Sequence, residues 1–245
     1  MHYYIRNFPV TESMKETSPL PAENEGLRQL LLRYNVSHAH RMVYSYDELM
    51  SLGVNPDFVL SLLKIFDDLK AFSKAEFNRF KLEIVIDYIR KTHEYYLSKK
   101  LLEIEQSIHL LLRSYPVAHP LLVILSDFYA SYKTHLSQHI EIEEKHLLPY
   151  ILHLEKVDDG RASFQAYPAK YSLKEFLVQH HDTEKDLTEV RETIVNYSPP
   201  ATNETLYRIL LSQLQVFEKD LAVHALVEDE VLLPRAMELE SKWRD

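Results

Sequence analysis

Two stretches of this chain read alike and carry residue types that bind metals. One is His139-Ile-Glu-Ile-Glu143-Glu-Lys-His-Leu-Leu-Pro149, the other His224-Ala-Leu-Val-Glu228-Asp-Glu-Val-Leu-Leu-Pro234. Each sets a glutamate four residues after a histidine, followed by Leu-Leu-Pro at the same offset. On a helix, residues four apart lie on one face, one turn from each other, so the imidazole and the carboxylate can reach one centre. Imidazole with carboxylate suits iron, manganese or zinc. A carboxylate also has two oxygens with which to contact two metals. A single such pair is common on helix surfaces; two copies with the same downstream tripeptide are much more specific. His93 and His181 each stand some forty residues upstream of one copy, so the chain reads as two helical hairpins, each supplying one histidine and then HxxxE.

The elements that must position these residues are helices. There are only 3 glycines in 245 residues, and long stretches hold neither Gly nor Pro. Four long helices are expected, at about 76–113, 120–154, 171–196 and 203–241, with apolar residues at three and four spacing in Leu206, Ile209, Leu210, Leu214, Phe217 and Leu221. Tyr115-Pro116 and Ser198-Pro199-Pro200 break the pairs, and Asp158-Asp159-Gly160 through Pro168 is the longest loop. Short connections between long helices fit an antiparallel four-helix bundle, in which side chains from facing helices can converge on a metal centre in the core. Before it, residues 25–72 read as short helices: Ser45-Tyr46-Asp47-Glu48-Leu49 starts like a capped helix, Gly53 ends it, and Asn55-Pro56 starts the next. The expected organisation is a small helical domain over 1–74 and the bundle over 75–245.

Composition narrows the chemistry. There is no cysteine, which excludes disulfides, thiolate metal sites and a cysteine nucleophile. The 13 histidines are many for this length and invite a search for metal ligands. The net charge of −9 argues against a general nucleic-acid binder. No apolar run approaches the roughly 20 residues that span a bilayer, and Met-His-Tyr-Tyr-Ile-Arg lacks the apolar core of a signal peptide, so a cytoplasmic location is expected. Glu144, Asp229 and Glu230 read as a solvated acidic face, and His146, seven residues after His139, as a packing or supporting residue.

At these residues the chain resembles the RIC family, the repair-of-iron-centres proteins, which are hemerythrin-like di-iron proteins. Tyr207-Arg208, Phe217-Glu218, Asp220-Leu221, His224, Glu228 and Leu-Leu-Pro234-Arg235-Ala236 are similar to that family's last helix. His181-Asp182, Val190-Arg191-Glu192 and Asn196-Tyr197-Ser-Pro-Pro200 are similar to its third, Tyr88-Ile89, His93 and Tyr95 to its first, and His139 with Glu143-Glu144 to its second. A weaker likeness over Tyr34, Tyr46-Asp-Glu48-Leu49 and Gly53-Val-Asn-Pro56 extends to its small leading domain. The resemblance implies an all-α, hemerythrin-like antiparallel four-helix bundle holding two non-haem iron ions bridged by carboxylates. Its ligands, five histidines and two bridging glutamates in the family, carry over to His93, His139, Glu143, His181, His224 and Glu228. The remaining histidine position falls on Tyr115, and His119-Pro120 follows four residues later. His119 is favoured as the seventh ligand, with phenolate ligation by Tyr115 as the alternative. Where relatives carry a Cys-Cys pair, this chain has Ser37-His38-Ala39-His40.

The function the resemblance implies is repair of iron–sulfur clusters, or iron delivery, under oxidative or nitrosative stress. The competing class is a sensor or carrier of oxygen, nitric oxide or iron without turnover; whether the protein is an enzyme stays open. The implied partners are iron, oxygen or nitric oxide, damaged iron–sulfur proteins and a second copy in a homodimer, with neither nucleic acid nor membrane among them.

Overall fold

A computed structural model describes residues 20–21, 25–34, 36, 43–115, 120–164, 167, 172–174, 176 and 204–244. The chain divides into two compact units, Met1–Leu63 and Lys64–Asp245.

In the first unit, two-residue strands β1 (Leu20–Pro21) and β2 (Val43–Tyr44) pair antiparallel, Leu20 opposite Tyr44. Helix α1 is Glu25–Arg33 and α2 is Tyr46–Ser51. Ser45 caps α2 in a reciprocal box: its hydroxyl accepts the Glu48 N–H, and the Glu48 carboxylate accepts the Ser45 N–H at 2.9 Å. Gly53 follows with φ +75°, a conformation that favours a residue without Cβ. The Asn55 side chain then accepts the Phe58 N–H at 3.0 Å, and Pro56 opens α3 (Pro56–Asp67), which crosses into the second unit.

The second unit is a helical bundle. After a 3₁₀ turn (Leu69–Ala71) and the single-turn α4 (Lys74–Phe77), the first long helix begins at Leu82, not near 76. Ser73 caps α4 separately, and the Leu82 N–H is taken by the Glu155 carboxylate at 3.0 Å, which fixes the new start. This first bundle helix runs through α5 (Leu82–Tyr95), a π-helical turn (Tyr96–Lys100) and α6 (Leu101–Arg113). The second comprises α7 (Pro120–Ile142), a π turn (Glu143–Leu147) and α8 (Leu148–Asp158). The helix expected at 171–196 lies outside the described residues except for its first few. The last bundle helix comprises α9 (Glu204–Val227), a π turn (Glu228–Leu232) and α10 (Leu233–Arg244). Segment α5 packs on α8 and on the last π turn, while α6 packs on α7 and α9, so the first helix runs antiparallel to both others. Segments α8 and α10 pack on one another, with Lys242 paired to Asp158 at their C-terminal ends. The second and last helices are therefore parallel, as second and fourth members of an up-down-up-down bundle are. Among the described residues no helix is long and apolar enough to cross a membrane.

The repeated Leu-Leu-Pro explains two of the three π turns among the described residues. A proline inside a helix has no N–H to offer and its ring crowds the carbonyl four residues back. Immediately before Pro149 and Pro234 the helix widens instead: the Leu148 N–H donates to the Glu143 carbonyl, and the Leu233 N–H to the Glu228 carbonyl, five residues back in each case. Both widened turns begin on the glutamate of an HxxxE pair. The core stripe runs straight through these turns. Leu136, Ile140, Glu143, Leu147 and Ile151 are buried on the second helix, and Phe217, Leu221, His224, Glu228 and Val231 on the last. Metal-type ligands thus occupy positions that apolar residues hold elsewhere on the same face.

A buried polar clamp ties the chain after the long loop to this bundle. Glu240 Oε1 accepts the Tyr150 hydroxyl at 2.8 Å and the Leu173 N–H at 3.2 Å. Replacing Glu240 by Ala strands both buried donors, so it should cost about 2–4 kcal/mol in urea unfolding of the metal-free protein. Glu240→Gln keeps an acceptor oxygen and should cost about half as much or less.

Candidate metal centre

The first and second helices meet at one imidazole. His93, 2% exposed, sits in the last turn of α5. Its Nε2 lies 3.1 Å from Glu143 Oε2 and 3.3 Å from His224 Nε2. The other oxygen of Glu143 faces away from this group: Oε1 lies 2.7 Å from His139 Nε2. Glu228 Oε2 lies 3.5 Å from His224 Nε2. Two three-residue groups result, His93–Glu143–His224 and His139–Glu143–Glu228, each with ligand atoms within 4.8 Å of one another. Glu143 belongs to both. Tyr96 closes the apolar side, its ring 5.9 Å from that of His224 and 5.0 Å from Phe217.

The donor set fits a cation centre. Imidazole nitrogens and carboxylate oxygens present lone pairs toward the same small volumes, and Glu143 and Glu228 are 1% and 3% exposed. Charges at that depth cost several kcal/mol unless paired or bound to metal. Burial alone pulls the His93 imidazolium down, but hydrogen bonds to Glu143 and Glu144 outweigh it and raise its pKa to about 9. The metal-free cluster therefore holds a proton where the metal-bound form needs a lone pair.

Of the residues singled out in the sequence, the structure brings His93, His139, Glu143, His224 and Glu228 together. His181 and His119 lie outside the described residues, as do His38 and His40. Tyr115 is described and is not at the centre. It lies just beyond α6, and the 22 residues that separate it from His93 correspond to about 33 Å of helix. The phenolate alternative fails for that reason.

Two other expectations change. His146 is exposed, so it does not pack in the core. Glu144, read from sequence as part of a solvated face, is half-buried. Its Oε1 lies 2.8 Å from His93 Nδ1 and its Oε2 3.3 Å from Arg90 Nε. In a regular helix it would point about 100° away from Glu143. Here the widened turn starts on Glu143, and both carboxylates reach the same imidazole. The clue in the sequence was Pro149, which marks where regular helical spacing stops applying. The π turn at Tyr96–Lys100 has no such proline and no comparable signal.

The hemerythrin HHE cation binding domain matches this chain over residues 85–236. Among curated proteins, the iron-sulfur cluster repair protein ScdA of Staphylococcus haemolyticus is 26% identical over 117 residues, which cover 46% of this chain and 49% of that protein. The chain thus spans about half the length of that relative. ScdA of Staphylococcus epidermidis is 20% identical over 183 residues, 75% of this chain and 79% of that protein. This weak similarity agrees with the resemblance to the RIC family. A family match over more than half of the chain, on the helices that bring the two histidine–glutamate groups together, places this protein in the hemerythrin HHE cation-binding domain family.

Proposed function

We propose that this protein holds two non-haem iron ions and serves in the repair of iron–sulfur clusters, or in delivery of iron to them, under oxidative or nitrosative stress. The observation that carries the di-iron reading is the divided carboxylate of Glu143, with one oxygen toward His93 and the other toward His139. In this reading His93 and His224 would hold one iron and His139 the other, with Glu143 and Glu228 as the carboxylates available to both. His181 is assigned to the second iron by the hairpin repeat alone, and His119 completes the set on the resemblance alone. Iron so held supplies a site for oxygen or nitric oxide and a store of metal for a damaged cluster. The protein's own part is to keep its imidazoles oriented, its carboxylates shared and the apolar wall around Tyr96 dry. The cytoplasm, where such clusters are used, fits this role. The likeness to proteins named for iron–sulfur cluster repair supports the assignment.

A second reading, a stoichiometric sensor or carrier of oxygen, nitric oxide or iron, draws on the absence of cysteine. Without thiols, iron transfer must run through imidazole and carboxylate groups alone. An iron–sulfur enzyme inactivated by nitric oxide separates the two. The iron-loaded protein should restore its activity, and Glu143→Ala should not. Stoichiometric gas binding with no recovery would favour the sensor.

Anaerobic loading with ferrous iron should give about two irons per chain, as the bundle di-iron pattern requires. Glu143→Ala removes a ligand common to both groups and should bring iron content below about one per chain, with Glu228→Ala close behind. Circular dichroism of each variant checks that the helices remain.

Metal binding must displace the His93 proton. Below its pKa of about 9 the metal-free form is protonated, so iron affinity should rise with pH between about 6.5 and 8.5, by up to about tenfold per unit for each proton released. Competition with a chelator of known pH dependence measures this. A flat profile would contradict the assignment of His93 as a ligand.

A further inference from the structure

Glu144 has a place that the ligand set does not account for. It is adjacent to Glu143 in sequence, yet the two carboxylates grip opposite edges of one ring: Glu143 Oε2 stands at Nε2 of His93, and Glu144 Oε1 at Nδ1, 2.8 Å away. Its second oxygen faces Arg90, one turn before His93 on the same helix, at 3.3 Å. Glu144 and Arg90 are partly open to solvent, whereas His93 is buried. A buried imidazole is thus tied through one carboxylate to a guanidinium at the protein surface.

An ionised carboxylate only accepts hydrogen bonds, and a guanidinium only donates them. Paired with Arg90, Glu144 therefore stands as acceptor toward His93, and the hydrogen between them belongs to Nδ1. Once Nε2 gives up its proton, the neutral imidazole keeps its one N–H on Nδ1, and Nε2, which faces Glu143 and His224, is left with a lone pair for the metal. We infer that Glu144, braced by Arg90, is a positioning residue that fixes the His93 tautomer and ring orientation so that Nε2 is presented to the metal.

This inference rests on the di-iron reading and deepens it. Such supporting carboxylates orient metal-bound imidazoles and raise their basicity, and their loss typically costs about 10–100-fold in metal affinity. The effect is confined to one of the two groups, because Glu144 touches His93 and not His139. Glu144→Ala should therefore separate two uptake steps that wild-type protein makes together. One ferrous ion should bind with wild-type affinity and the other about 10–100-fold more weakly. Glu144→Gln keeps an acceptor oxygen at Nδ1 and should stay within about tenfold of wild type.

The test is anaerobic ferrous-iron titration against a competing chelator for wild type, Glu144→Ala and Glu144→Gln. It is joined to ¹⁵N histidine spectra of the zinc-loaded proteins. In wild type with zinc, His93 should show a protonated Nδ1 and a metal-bound Nε2; in Glu144→Ala the Nδ1 proton should lose its hydrogen-bonded shift. A merely structural role would lower metal-free thermal stability without moving either readout. Wild-type affinity for both irons in Glu144→Ala, or zinc on Nδ1 of His93 in wild type, would overturn the inference. Failure of wild type itself to take up iron would instead remove the di-iron reading, a separate outcome.

Discussion

Glu143 is a carboxylate on the apolar stripe of a bundle helix, 1% exposed, with an imidazole on each of its oxygens. A charge buried at that depth is tolerated only when every lone pair has a cation or a donor to meet. The arrangement of the surrounding helices follows from that requirement. His93 must come from the first helix, His139 from one turn earlier on the same helix as Glu143, and Glu228 and His224 from the last. None of these can be exchanged for an apolar side chain of equal volume without leaving another polar atom of the group exposed to hydrocarbon. The same logic couples metal binding to stability, since a cation stabilises only the state in which these groups have converged.

The helices accommodate this by departing from regular geometry where the ligands are. Among the described residues three π turns interrupt the long helices, at Tyr96–Lys100, Glu143–Leu147 and Glu228–Leu232. Two begin on the glutamates of the repeated pairs, and the third begins three residues after His93. Each adds a residue to a turn, which changes the angular spacing between neighbouring side chains. At the start of the second of these turns, consecutive glutamates reach one ring from two sides. The antiparallel packing of the first helix against the others sets His93 and His224 at a ring separation of 5.0 Å.

Much of this was legible in the residues. The doubled HxxxE with Leu-Leu-Pro identified the two ligand-bearing helices, because spacing by four has one meaning on a helix. Scarce glycine and Pro116 bounded the first two long elements, and the Ser45–Glu48 cap and Gly53 were readable from residue type alone. What escaped was anything that depended on local departure from regular geometry or on distance across the fold. Glu144 was misassigned because a 100° step per residue was applied across a widened turn. The start at Leu82 was missed because its cap, Glu155, comes from another helix. Tyr115 was drawn toward the centre by alignment of residue types, whereas the helix that runs on from His93 carries it about 33 Å along the bundle.

The most direct test of the shared carboxylate is anomalous diffraction at the iron edge from crystals of the anaerobically loaded protein. The account predicts two iron peaks about 3.5–4 Å apart, with one oxygen of Glu143 on each, His93 and His224 on one side and His139 on the other. A single peak, or two peaks that both leave Glu143 uncoordinated, would contradict it.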